Sequence, residues 1–211
     1  NKIEKKKFIN QFKEIIVTKE LGISKDKIEY IEHHECHAFY SISNIINKKT
    51  KLLIFTIDGS GDRGINSTVS IYKNNKLSRI FESKKFIVGR IYRHITLLLG
   101  MKWGEHEYKT MGLAPYANYK DVNKVFDVFD KSFIIDFKTS NFLRKTIKDC
   151  YFTFLEKLRN FRFDNIAGGL QIFAERKILK WINFWLNKTK IYNISYSGGV
   201  SMNVKVNQEI S

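Results

Sequence analysis

The chain has 211 residues, 43% hydrophobic and 14% aromatic, enough apolar side chain for one large domain or two small ones and too much for a disordered chain. Lysine and arginine number 37 against 21 acidic residues, a formal charge of +16. A single proline, where usage of about 5% gives roughly ten, excludes collagen-like and proline-rich architectures, and two cysteines exclude a disulfide scaffold and fit a reducing compartment.

The Lys-rich start, Lys5-Lys6-Lys7, is followed by no apolar stretch of signal-peptide type, and no run approaches the ~20 apolar residues of a membrane span. A cytoplasmic protein without membrane contact is expected. The lysines are scattered rather than striped, so anionic small molecules are favoured over nucleic acid as the partners of the positive field. The chain begins at Asn1 rather than Met and stops at Ser211 in mid-pattern, which reads as a piece of a longer protein.

Phe8, Ile9, Phe12, Ile15, Ile16 and Leu21 have the spacing of an amphipathic helix over 3–21, closed by Gly22. Ile28 to Ile31 reads as a short strand, and His33-His34-Glu35-Cys36-His37-Ala38 leads into helical spacing. Leu52 to Ile57 is a continuous apolar run of the buried-strand kind, opening into the turn Asp58-Gly59-Ser60-Gly61-Asp62. Thr68–Tyr72 and Leu77–Phe81 pair as a hairpin about Asn74-Asn75. A short helix over 91–99 ends at Gly100, and residues 118–163, which lack glycine, are expected to be helices covering the core. A long helix over 166–186, starting at Ala167-Gly168-Gly169, precedes a strand over 191–196, a Ser197-Gly198-Gly199 turn and a helix over 200–210.

Three constellations carry chemistry. His33 and His37 stand at i and i+4, so a helix places both imidazoles on one face for a single metal ion, while His34 lies about 100° away. Because His34 rather than glutamate follows His33, this is not a zinc-protease helix. The Asp58–Asp62 turn is suited to a phosphate, with Asp58 able to ligate a cation, although no Gly-Lys-Ser/Thr follows to make a P-loop. The Ser197–Val200 turn with Asn203 is a second strand–glycine–helix junction, suited to a nucleotide.

These motifs, together with Gly104-Glu-His-Glu-Tyr-Lys-Thr-Met-Gly-Leu-Ala-Pro-Tyr116 and Ile166-Ala-Gly-Gly-Leu-Gln171, occur in the order of the nodulation-protein-U-type O-carbamoyltransferases, which the chain resembles over about 28–116 and 166–207. The resemblance implies an α/β fold of the actin/Hsp70/sugar-kinase (ribonuclease H-like) two-lobed class, here incomplete. Residues 1–211 would be the central part of the actin-like domain, with the first strands before Asn1. A further acidic metal ligand and an adenylate-forming domain would follow Ser211. It implies transfer of a carbamoyl group from carbamoyl-adenylate, made from carbamoyl phosphate and ATP, to a hydroxyl of a sugar or other small acceptor. His33, His37 and Asp58 match the family's ligands for a divalent ion, iron before zinc or manganese. Gly59, Ser60 and Gly61 match the phosphate turn, and Gly198, Gly199, Val200 and Asn203 the nucleoside turn. Glu107 and Lys109 fall in the cleft-lining segment. His34 or Asp62 is the expected base for the acceptor hydroxyl, Asp62 standing where the family more often has glutamate. The expected partners are the donor, the acceptor and the adenylate-forming domain, with a homodimer left open. The alternatives are a tRNA threonylcarbamoyl transferase-like enzyme, related through the same two-histidine site, and a non-catalytic basic module that binds nucleic acid.

Overall fold

A computed structural model of the chain describes residues 2–43, 51–143, 147 and 149–211. It divides into two compact units, Asn1–Glu32 and His33–Ser211. In the first, helix α1 spans Lys2–Glu20 and Gly22 takes φ +64°, as its place after the helix requires. A single 3₁₀ turn, Lys25–Lys27, follows, and Lys25 reaches back to Glu14 at 2.8 Å. The strand expected at 28–31 does not form. The backbone is extended at Ile28 (φ −98°, ψ 116°), but these residues pair with no strand among the described residues.

The second unit is a mixed α/β structure built on a four-stranded sheet of order β3-β2-β1-β6. Strands β1 (Leu52–Ile57), β2 (Ser67–Lys73) and β3 (Lys76–Ser83) form an antiparallel meander, and β6 (Ile194–Ser197) lies parallel to β1 on its other side. Asn74 and Asn75 both take positive φ (51° and 60°), the two left-handed residues that a tight hairpin needs to match the strand twist.

All six residues of β1 are buried because both of its faces are covered. Leu52 and Ile54 pack with Ala38 of helix α2 (His33–Ser43), whereas Leu53, Phe55 and Ile57 enter the main core on the opposite face. That is why the run reads as continuously apolar rather than alternating. The main core is aromatic. Trp181 is fully buried, stacks on Phe86 at 4.6 Å and meets Phe55 edge-on at 5.4 Å, while its indole N–H donates to the Ser140 carbonyl at 3.2 Å.

Helices α3 (Val88–Leu98) and α4 (Glu107–Leu113) follow the meander. Residues 118–163 are not all helical. Helices α5 (Tyr119–Ser132) and α6 (Cys150–Leu158) flank a small hairpin, β4 (Ile134–Asp136) with β5 (Asn141–Leu143). Asp136 turns this hairpin by accepting from the Lys138 N–H and the Thr139 hydroxyl, and Ser140 supplies the positive φ that the missing glycine leaves unfilled.

Helix α7 runs Phe163–Thr189, longer at both ends than the sequence spacing predicts. Gly168 and Gly169 are therefore not its start. A Cβ on either would strike Val122 or Val125, so the pair lets α5 cross α7 closely. Strand β6 is shorter than expected, and Gly199–Met202 form a 3₁₀ turn before helix α8 (Val204–Ile210), whose amino end Asn203 caps through its side chain.

Candidate metal centre and adjoining cleft

Helix α2 brings His33 and His37 one turn apart, and β1 ends at Asp58 beside them. The Nε2 atoms of His33 and His37 each lie 3.1 Å from Asp58 Oδ2 and 3.2 Å from one another. Among the described residues this is the one group of three such side chains with converging ligand atoms. With ligand bonds of about 2.1 Å, edges of that length subtend roughly 95–100° at an ion, close to the face of an octahedron. The donor set also fits. Two imidazole nitrogens and one carboxylate oxygen converge, a histidine-rich, single-carboxylate set of the kind that suits iron, zinc or manganese.

Asp58 is held from several sides. Its Oδ1 accepts from the Gly59 N–H at 2.5 Å and its Oδ2 from the Gly199 N–H at 3.2 Å. Burial pushes its carboxyl pKa up, but the His33 contact and these two backbone donors outweigh it and hold the group below the usual carboxylate range. Gly198 makes this possible. It takes φ +100°, and a Cβ there would run into the Ile57 carbonyl, so the turn after β6 reaches Asp58 only because the residue is glycine.

The two candidate bases are placed differently. His34 is fully buried, with Nδ1 2.7 Å from the Thr56 hydroxyl and Nε2 donating to the Ile65 carbonyl at 3.0 Å. Both ring nitrogens are engaged in fixing α2 against β1 and the loop that follows it. Asp62 is exposed. Its Oδ2 accepts from the His33 N–H at 3.0 Å, capping α2 from outside the helix.

A cleft of about 390 Å³ opens next to the histidine cluster, lined by Asp58, Gly59, Gly199, Val200, Asn203 and Glu107 of the expected residues. Ser60, Gly61, Lys109 and Gly198 are not part of its lining. The Gly61 N–H donates to the Ile65 carbonyl at 2.7 Å, and a Cβ on Gly61 would lie 2.8 Å from the His33 and His34 rings, so this glycine lets helix α2 approach closely. Lys109 is exposed, with its ammonium 3.1 Å from His106.

Sequence reasoning missed the α3 side of the cleft. Gly89 sits where a Cβ would meet Val200 and the backbone of Asp58 and Gly59, and Tyr92 and Arg93 follow one turn later on the same face. Tyr92 donates to Gln171 Oε1 at 2.9 Å, and Gln171 and Asn203 exchange a reciprocal pair of hydrogen bonds (2.9 and 3.1 Å). Burial, then the charges of Glu175 and Glu107, push the Tyr92 phenol up, so it stays a donor. Arg93 lies 3.9 Å from Glu107 and faces the Trp103 ring at 5.4 Å. Gly89 and Tyr92, at i and i+3 on the buried face of an amphipathic helix, were the legible signal.

The family model for the carbamoyltransferase N-terminus matches residues 1–211, the whole chain. The chain belongs to that family. It is 33% identical over 88% of its length to an uncharacterised protein of Methanocaldococcus jannaschii, of which it covers 36%, and 27% identical over 95% to a second from the same organism, again covering 36%. It is also 26% identical over 92% of its length to the nodulation protein NolNO of Sinorhizobium fredii, covering 29% of that protein. The chain thus spans about a third of the length of the curated relatives it matches. Among the described residues, no helix of this family member is long and apolar enough to cross a membrane.

Proposed function

We propose that this chain is the metal- and nucleotide-binding part of an O-carbamoyltransferase that moves a carbamoyl group from carbamoyl-adenylate to the hydroxyl of a small-molecule or sugar acceptor. The observation that carries the reading is the convergence of His33, His37 and Asp58 at the edge of a cleft bounded by two glycine turns, in a member of the carbamoyltransferase family. The strand order, three antiparallel strands and a parallel fourth beside the first, supports the ribonuclease H-like, actin-related reading of the fold.

In this reading His33, His37 and Asp58 hold a divalent ion, with a further ligand expected elsewhere in the protein. When bound, the ion supplies Lewis-acid polarisation of the carbamoyl carbonyl. The remaining work falls to the chain. Asp58 is kept ionised by its backbone donors, so it is ready as an anionic ligand. Gly198 and Gly199 bring backbone up to that carboxylate and leave room for a nucleoside, while Asn203 is fixed by Gln171 and Tyr92 as a rigid wall. Asp62, exposed and next to His33, is the proposed base for the acceptor hydroxyl. The activated donor would come from the adenylate-forming domain of the same longer protein.

The test is metal content and carbamoyl-adenylate binding in the full-length protein and in a His33→Ala/His37→Ala variant. About one divalent ion per chain, lost with ligand binding in the variant, supports the reading; full retention of both overturns it.

A further inference from the structure

We propose that Arg93 is the anion-recognising residue of the cleft, its guanidinium taking the phosphate or carboxylate of a bound ligand over the Gly59 turn. This rests on the reading of the cleft as a substrate site. Two of the turn's backbone donors are already committed. The Gly59 N–H is directed to Asp58 Oδ1 and the Gly61 N–H to the Ile65 carbonyl, so the turn spends these donors internally instead of offering them to an anion.

The charge of the cleft points the same way. Its described lining carries three carboxylates, Asp58, Glu105 and Glu107, and Arg93 is the one lysine or arginine among those lining residues. On a chain with a formal +16 the described lining of this cleft is more acidic than basic, and Arg93 is the positive side chain an entering anion meets there.

Arg93 is also poised for the task. Its Nη2 lies 2.7 Å from where a Cβ on Gly59 would be, so the planar head rests directly on the glycine. Trp103 backs it at 5.4 Å. The pair with Glu107, at 3.9 Å between Nε and Oε1, is beyond hydrogen-bond length, and Glu107 already accepts the Gly104 N–H at 2.6 Å. The guanidinium fork is thus held in place with donors to give, and two parallel N–H bonds to phosphate or carboxylate oxygens are the contact it makes best.

Two sources share this chemistry: the phosphate of the adenylate donor, and an acidic group on the acceptor. Calorimetric titration of the full-length protein with AMP, with adenosine, and with inorganic phosphate at saturating AMP separates them. Arg93→Met keeps the stem and removes the fork. It is expected to weaken AMP about tenfold or more and adenosine less than about twofold. Gly59→Ala is the second variant, since its Cβ collides only with the movable Arg93 head. It should weaken AMP by a smaller factor, and the double variant should bind AMP no worse than Arg93→Met alone.

If AMP is unchanged but inorganic phosphate is weakened, Arg93 reads the acceptor's anion and the proposal stands in that form. Equal losses of AMP and adenosine, or no loss with any probe, overturn it. If the wild-type protein binds neither AMP nor adenosine, the nucleotide reading of the cleft fails. Arg93 is then decided by inorganic phosphate alone, loss on Arg93→Met supporting it and no loss refuting it.

Discussion

Gly198→Ala should be among the most damaging single methyl additions in this chain. The residue has φ 100° and ψ 172°, a region open essentially to glycine alone, where an L side chain costs about 1–3 kcal/mol. The added Cβ also meets the Ile57 carbonyl, carbon and nitrogen, which belong to the central strand and cannot rotate aside as a flexible side-chain tip would. Relief requires the turn to lift off β1, and that breaks the Gly199 N–H bond to Asp58 and the Ser197 hydroxyl bond to the His37 carbonyl (2.9 Å). Each is worth about 1 kcal/mol, more for the bond to a carboxylate. A loss of about 3–5 kcal/mol is expected, a large part of the stability of an ordinary domain. Urea unfolding followed by tryptophan fluorescence measures it, with Gly112→Ala as the control. Gly112 lies inside α4, and a methyl group there would meet nothing within 4 Å, so alanine should be neutral or stabilising by about 0.5–1 kcal/mol. If both variants unfold within about 0.5 kcal/mol of the parent, the account of this turn is wrong.

Asp58→Asn should leave the fold intact by circular dichroism and lower metal affinity at least about tenfold, because the amide keeps the shape but not the anionic charge at the imidazole pair; unchanged affinity would remove Asp58 from the ligand set. His34→Ala should cost about 2–4 kcal/mol in the same unfolding assay, since it empties a fully buried site and removes the ring's hydrogen bonds to the Thr56 hydroxyl and the Ile65 carbonyl. Trp181→Phe should destabilise by about 1 kcal/mol more than Trp185→Phe: both indoles are buried, but only Trp181 loses a bond, to Ser140, and Trp185 Nε1 has no partner among the described residues. Asp130→Ala should be worse than Lys177→Met, because it leaves the buried Lys177 ammonium without its 2.7 Å carboxylate; the reverse order by thermal melting would refute this.

Much of this was written locally in the chain. The i, i+4 histidines, the six-residue apolar strand and the Asn-Asn hairpin depend on neighbours close in sequence, and they are where the spacing placed them. The failures share a cause. Ile28–Ile31 alternates like a strand, but a strand exists only with a partner, and none of the described residues supplies one. The glycines at 168 and 169 resemble a helix entry because sequence does not show that α5 crosses there. Arg93 was overlooked, and Gln171 given no role of its own, because each is one polar residue among several on its helix, and what singles them out is the cleft and the contacts that distant elements build around them. For His34 the sequence shows a histidine next to two candidate ligands but not the Thr56 and Ile65 contacts that engage its nitrogens.

The clamp on Asp58 has a consequence for how the chain acquires its site. His33, His37 and Asp58 fall within 25 residues of one another, so α2 and the end of β1 can bring the triad together early, with little loop entropy to overcome. Gly199, which locks the carboxylate, arrives from 141 positions downstream and can dock only after the intervening helices have found their places. The triad is thus a local construction, and the docking of β6 is what fixes its carboxylate in place.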